Sequence, residues 1–254
     1  MKRRLIFTLL LATTIIGHLC AQKYKNHIIP FDGLKGQVKS YEQISYKVTD
    51  NKYNDVKDED IDRYYVCQFD ENGMITKSRL SKNKSGTKIQ DLQNKIVNGD
   101  IVETIEHYYI PENLIYKTKR ISKQENIEKW VSSYTADRQN FRNSYTCQYL
   151  PDRKIWTDTA TDDDDIQLFD SDGHLISRTM YSGGKIKQQY IYRYNEQGFV
   201  CSFEVTYYNF QVAVQRQVFK YEGEDSHGNW KRRITYDDGI AVNVMEQAIE
   251  YNIE

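Results

Sequence analysis

A short phrase recurs along this chain: an aromatic residue, then Asp or Asn, two further residues and Gly, with an apolar residue two places after the Gly. It reads Phe69-Asp70-Glu71-Asn72-Gly73-Met74-Ile75, then Phe169-Asp170-Ser171-Asp172-Gly173-His174-Leu175, then Tyr194-Asn195-Glu196-Gln197-Gly198-Phe199-Val200. A longer version runs from Tyr221 to Gly228-Asn229-Trp230 and reads as the phrase with an insertion. The Asp or Asn opens a turn because its side-chain oxygen accepts backbone N–H bonds. The Gly supplies a left-handed backbone that other residues adopt only at a cost. Each phrase therefore predicts a β-hairpin, closed by the pairs Phe69–Ile75, Phe169–Leu175 and Tyr194–Val200. The turn residues are Asp70, Gly73, Asp170, Gly173, Asn195, Gly198, Gly228 and Gly239. A single hairpin is marginal in water, so recurrence predicts that several join in one antiparallel sheet.

Composition agrees. Tyr numbers 21 and Pro only 3, a usage that suits pleated, half-buried surface and argues against linkers. The mean hydropathy of −0.76 leaves much surface in water. The expected fold is all-β: an antiparallel hairpin-repeat sheet, meander- or solenoid-like. Both faces of its strands carry apolar residues. Counting outward from the Tyr194–Val200 pair puts Tyr190 and Tyr192 on one face and Ile191 and Phe203 on the other. Such a sheet either curls on itself or meets a second layer. Leu34 to Val48 reads as a first strand with Val38, Ile44, Tyr46 and Val48 on one face. Residues 49–60 read as a polar loop, and 124–135 as either a helical turn or a strand.

The N-terminus reads as an export signal. Lys2, Arg3 and Arg4 precede an apolar run from Leu5 to Ile16, which is too short to span a membrane. The expected cut follows Ala21, leaving Gln22 first. The competing reading, lipidation at Cys20, needs a small residue where Leu19 stands. The division is then 1–21 signal helix, 22–33 exposed lead-in and 34–254 a single β domain, with 150–165 the place where it would subdivide. The destination is periplasmic or extracellular, and no membrane-spanning segment is expected. Cleavage removes three cations and no acids, taking the net charge from −1 to −4. That gives no footprint for nucleic acid. Cys67, Cys147 and Cys201 remain; an odd number cannot pair completely within one chain. They read as three buried thiols, with one disulfide plus one free thiol as the alternative.

No catalytic constellation emerges. His27, His107, His174 and His227 have no neighbours that form a triad or metal motif. The run Asp162–Asp165 offers carboxylates, but consecutive residues point in different directions, so it reads as a solvated loop rather than a calcium site. Asp170 and Asp172 are explained by turn chemistry, since Asn195 and Gln197 replace them in the next phrase. No cofactor and no metal are expected. The most interesting surface candidates are Tyr190, Tyr192 and Tyr194 on one strand face, with Tyr207 and Tyr208 nearby. An exposed row of tyrosines would stack a glycan or anchor a protein.

The phrase resembles the YD-repeat (RHS-like) β-repeat proteins of bacteria. The carrying residues are Phe69–Ile75, Phe169–Leu175, Tyr194–Val200 and the stretch from His227 to Gly239. The resemblance implies a β-repeat architecture, like that of small exported proteins without an assigned activity. The chain is much shorter than the large members and its repeats are irregular. The functional expectation is a non-catalytic interaction or structural role in the envelope, for an unidentified protein or glycan partner. A carbohydrate- or peptide-binding module using the Tyr face is the first alternative, and a periplasmic hydrolase the second.

Overall fold

The computed structural model describes residues 34–252 apart from 111–112, 137–138 and 209–211. The signal segment, the cleavage site, Cys20, His27 and the 22–33 lead-in lie outside the described residues. The chain forms sixteen strands in order. They are β1 (Val38–Lys47), β2 (Ile61–Phe69), β3 (Ile75–Ser81), β4 (Lys88–Val97), β5 (Asp100–Tyr108), β6 (Leu114–Gln124), β7 (Ile127–Ala136) and β8 (Gln139–Tyr149). There follow β9 (Arg153–Asp158), β10 (Asp163–Phe169), β11 (Leu175–Ser182), β12 (Lys185–Tyr194), β13 (Val200–Tyr207), β14 (Ala213–Glu224), β15 (Trp230–Asp237) and β16 (Ile240–Tyr251). Segment 124–135 is the turn between β6 and β7 and most of β7. The described helical structure is one 3-10 turn, Asp58–Asp60.

Every strand pairs antiparallel with its chain neighbours, and β1 also pairs with β16, from Val38↔Tyr251 to Lys47↔Asn243. The sheet is therefore a closed barrel, not an open or solenoid-like repeat sheet. Closure overturns the likeness to YD-repeat proteins: the recurring phrase marks hairpins of an up-and-down barrel. It also removes free sheet edges. The asparagine side chain of Asn243 ties the seam, donating to Ser45 Oγ at 2.7 Å and to the Tyr46 carbonyl at 2.8 Å.

The phrase turns share one geometry. Oδ1 of Asp70 accepts from the N–H of Asn72 and Met74; Asp170 serves Asp172 and His174, and Asn195 serves Gln197 and Phe199. Asp225 does the same for His227 and Asn229 at 2.9 Å each. The fourth phrase thus starts at Asp225 without an insertion, and Glu224 occupies the aromatic slot. Gly73, Gly173 and Gly198 have φ of 74°, 86° and 84°.

A bulge follows these turns. Phe69 pairs with Ile75 but Gln68 with Lys77, leaving Thr76 unpaired; Ile176 and Cys201 are the extra residues in the corresponding hairpins. Similar irregularities recur in the β4–β5, β11–β12 and β15–β16 hairpins. Bulges increase local twist and bend a strand, which is how a sheet is brought round to meet itself. They also reset the alternation of faces. Tyr192 pairs with Phe203, so both point the same way, contrary to the uninterrupted count. A bulge at Lys39 likewise separates Val38 from Ile44 and Tyr46.

Register and burial define the two faces. On β6, Leu114, Tyr116 and Thr118 are buried while Ile115, Lys117 and Lys119 are exposed. Residues in register with the first set, such as Glu106, Tyr108, Trp130 and Cys147 through their neighbours, are buried too. That face is the interior. Residues 49–60 lie over part of the outer face. Tyr53 and Val56 pack on Ile234 and Val244, and Asn51 accepts the Ala241 N–H at 2.9 Å. This strap explains why outward Ile234 and Val244 are fully buried.

Candidate functional site

The inward face concentrates aromatic rings and buried charges. Tyr190 and Tyr192 on β12, Phe203 on β13 and Phe219 on β14 form a row of nearly parallel rings, with centroids 6.1–6.5 Å apart at 5–16°. Arg178 stands over Tyr190 and Arg233 over Phe219, at 6.0 and 4.9 Å from the ring centres. A guanidinium beside a ring face is attracted by the ring quadrupole, so the two cations bracket the row.

These positions account for the sequence-predicted tyrosines. Tyr190, Tyr192, Tyr194 and Tyr207 point inward, and only Tyr208 is exposed. No exposed row is formed, because strand alternation puts Tyr190, Tyr192 and Tyr194 on the buried side together. Tyr192 is 6% accessible. Tyr194 donates to the Leu175 carbonyl at 3.0 Å, and Tyr190 to Gln188 at 3.0 Å. Burial pushes the phenol pKa of Tyr192 and Tyr194 upward.

The acidic run also divides by alternation. Asp165 faces inward and forms a buried pair with Arg178, while Asp164 faces outward and accepts from Thr157 at 2.6 Å. Asp163 accepts the Gly183 N–H at 3.0 Å. The run is thus largely strand β10 rather than the solvated loop expected. Burial opposes the charge on Arg178, but the Asp165 carboxylate outweighs it and holds the guanidinium protonated.

Two inward carboxylates could not be found from sequence. Glu128 meets Arg120 at 3.0 Å and accepts from Trp130 Nε1 at 3.1 Å and Tyr149 at 3.2 Å. Glu106 is 2% accessible, sits in register with Leu92 and Tyr116, and accepts from Tyr108 at 2.6 Å. Burial pushes its carboxyl up to about 7, against the opposing effect of the Tyr108 bond. Neither residue belongs to a motif; each acquires its surroundings from strands elsewhere in the chain.

The described histidines serve local roles. His107 Nε2 lies 2.5 Å from Asn113, and its ring packs on Tyr109. His227 stacks on Tyr251 at 3.7 Å, with Ser226 Oγ 3.2 Å from Nδ1. The carboxylate of Asp225 next to it is engaged by the Tyr251 hydroxyl. His174 Nδ1 lies 3.0 Å from Asp170 Oδ2, and Asp172 is close enough for the three to offer ligand atoms within 4.8 Å. Asp170 Oδ1 already accepts two backbone N–H groups, as Asn195 does without a carboxylate, so the turn accounts for this cluster. Cys67 and Cys147 are buried thiols outside any disulfide, and Cys201 is a half-buried one. Burial raises the Cys67 thiol to about 12.

The outward face is different. Charges stand between the rims on most strands: Glu42, Arg79, Asp91, Glu103, Lys117, Lys129, Arg142, Glu204, Arg216 and Glu246. Among the described residues no helix is long and apolar enough to cross a membrane.

The solved structures that match this chain include porin-like proteins. One, from Bacteroides vulgatus, is 10% identical, with 87% of this chain and 100% of that chain covered and a TM-score of 0.43. Another, from Bacteroides uniformis, is 10% identical over 85% and 98% of the two chains, with a TM-score of 0.23. Likeness at this level transfers no role. No protein-family model and no curated protein matches the chain.

Proposed function

We propose that this is an exported, water-soluble barrel of the bacterial envelope with a non-catalytic binding or structural role. The observation that carries the reading is the chemistry of the wall. A membrane-spanning barrel presents a continuous apolar band to lipid, and a Lys or Arg at its midplane costs about 2–4 kcal/mol. Here Lys117 and Lys119 occupy successive outward positions within β6, and Glu103 and Arg142 occupy outward positions on β5 and β8. Water satisfies that surface and hydrocarbon does not. Three buried inward carboxylates have structural partners: Asp165 with Arg178, Glu128 with Arg120, and Glu106 with Tyr108. The hydrolase alternative gains no support from the histidines, which are engaged by turns and neighbouring rings.

Export follows the sequence reading, with cleavage after Ala21. Fractionation of the producing cell tests both parts. The mature chain, beginning at Gln22, should leave the envelope in salt or alkaline carbonate and stay monodisperse without detergent. Extraction by detergent alone would overturn the soluble reading. N-terminal lipid on Cys20 would replace it with an anchored protein.

A second reading keeps the tyrosines as the contact surface but places it inside. The parallel row from Tyr190 to Phe219, capped by two arginines, has the planar faces and polar ends that a sugar or an extended peptide uses. A glycan and peptide array probed with the wild type and with Phe203→Ala would test it. Binding that survives the substitution would exclude this row.

A further inference from the structure

The outer wall is not uniform. Around β13–β16 its charges neutralise one another: Glu204 is in register with Arg216, and Arg232 lies 3.1 Å from Glu222 and 3.8 Å from Glu246. Around β4–β8 they do not. Among the described residues of these strands the outward cations are Lys88, Lys95, Lys117, Lys119, Lys129 and Arg142, and the outward carboxylates are Asp91 and Glu103. Asp91 is already held by Arg79 at 2.8 Å and Lys88 at 3.2 Å, and Glu103 by Lys117 at 3.3 Å. The wall therefore carries a positive excess.

The same wall exposes isoleucines. Ile105, Ile115, Ile121 and Ile127 are 36%, 52%, 57% and 40% accessible. They are interleaved with the cations rather than grouped: Ile105 is in register with Lys117, and Ile115 and Ile121 flank Lys117 and Lys119 on β6. The interleaving bears on the partner. Protein interfaces gather apolar groups into a core from which lysine is depleted. A lipid headgroup layer is fluid: it accepts scattered short apolar groups while its phosphates meet the ammonium groups between them.

We propose that the β4–β8 wall is a docking surface for an anionic lipid membrane, on which the barrel lies peripherally. The proposal rests on the water-soluble reading above, and the two fail differently. A protein that needs detergent defeats both, whereas a soluble protein that ignores vesicles defeats only this one.

The test is co-sedimentation of the mature chain with vesicles of phosphatidylcholine alone and of equal parts phosphatidylcholine and phosphatidylglycerol. Binding is expected only to the anionic vesicles, and it should fall steeply as salt rises. Lys119→Glu with Lys129→Glu should weaken the partition about tenfold or more. Ile115→Ser with Ile121→Ser should weaken it several-fold, whereas Val214→Ser on the outward face of β14 should leave it unchanged. All these positions are outward and solvent-exposed, and circular dichroism of each variant confirms the fold. Three results overturn the proposal. The folded wild type fails to bind anionic vesicles at low salt; the charge-reversed variant binds as well as wild type; or the isoleucine variant binds unchanged while soluble polyglutamate competes. The last result would assign the wall to an acidic polymer.

Discussion

Replacing Glu106 by Gln should stabilise this barrel above neutral pH and remove most of its pH dependence between pH 5 and 8. The carboxyl is almost wholly buried on the inward face between Leu92 and Tyr116, and its identified bond is the one it accepts from Tyr108. Burial raises its pKa from 4.5 to about 7. In the unfolded chain the group ionises near its ordinary value, so between about 4.5 and 7 the native state holds a proton that the unfolded state has released. Stability is then fully present at the acid end of this window and is lost as pH rises through the folded pKa. The displacement corresponds to about 3 kcal/mol once the group is ionised in both states. That is a large share of the roughly 5–15 kcal/mol by which a domain is stable. Gln keeps an oxygen for the Tyr108 hydroxyl and removes the charge. Urea unfolding of wild type and Glu106→Gln at pH 5.5 and pH 8, both approximate choices bracketing the folded pKa, gives the comparison. Wild type should lose stability toward pH 8 and the variant should not. Equal pH dependence in the two proteins would refute the assignment of the buried charge to this residue. Carboxylates held low by partners, such as Asp91, Asp100 and Asp225, titrate below this window and do not obscure it.

Other substitutions probe other parts of the wall. Gly173→Val should cost about 1 kcal/mol or more in urea unfolding, because φ is 86° and a β-branched residue is strained there. A Cβ at this position meets nothing within 4 Å, so a neutral result would refute the backbone argument directly. Arg178→Met should cost about 3–5 kcal/mol by leaving Asp165 buried without its cation, and adding Asp165→Leu should recover most of the loss. Failure of the double variant to recover would show that the pair does more than neutralise itself. Asn229→Ala should cost about 1–3 kcal/mol and expose residues 34–37 to protease. The amide accepts the Lys35 N–H at 2.7 Å and donates to the Lys35 carbonyl at 2.9 Å and to Tyr251 at 2.7 Å. Unchanged proteolysis would refute its role as a latch.

What the sequence displayed was whatever a single hairpin decides. The Asp–Gly phrases needed only five consecutive residues to form their bonds, and the closing pairs followed from the turn. Closure was not legible, because it depends on Val38–Lys47 meeting Asn243–Tyr251 across nearly the whole chain. Nothing near Asn243 in sequence announces that its side chain bonds Ser45. The two faces were misread for a related reason. Counting by twos assigns Phe203 correctly only if Cys201 is recognised as a bulge, and one unpaired residue reverses every assignment beyond it.

The same accident of parity separates what was visible from what was missed in the candidate surfaces. The tyrosines of β12 attracted attention because they alternate, yet alternation alone cannot say which side is water. The register supplies that answer: Tyr190 pairs with Arg178 and Val205, both buried, while Ile191 pairs with Glu204 on the outward face. On β6 the alternation is just as regular, but both classes are partly apolar: Leu114 and Tyr116 inside, Ile115 and Ile121 outside. Burial of the inward face does not call for isoleucines on the outward one, where threonine, also β-branched, would supply the same strand preference. Their presence on either side of Lys117 and Lys119 is therefore not demanded by the barrel. It is the part of the wall where the sequence does more than the fold requires, and that makes it the surface to test for a partner.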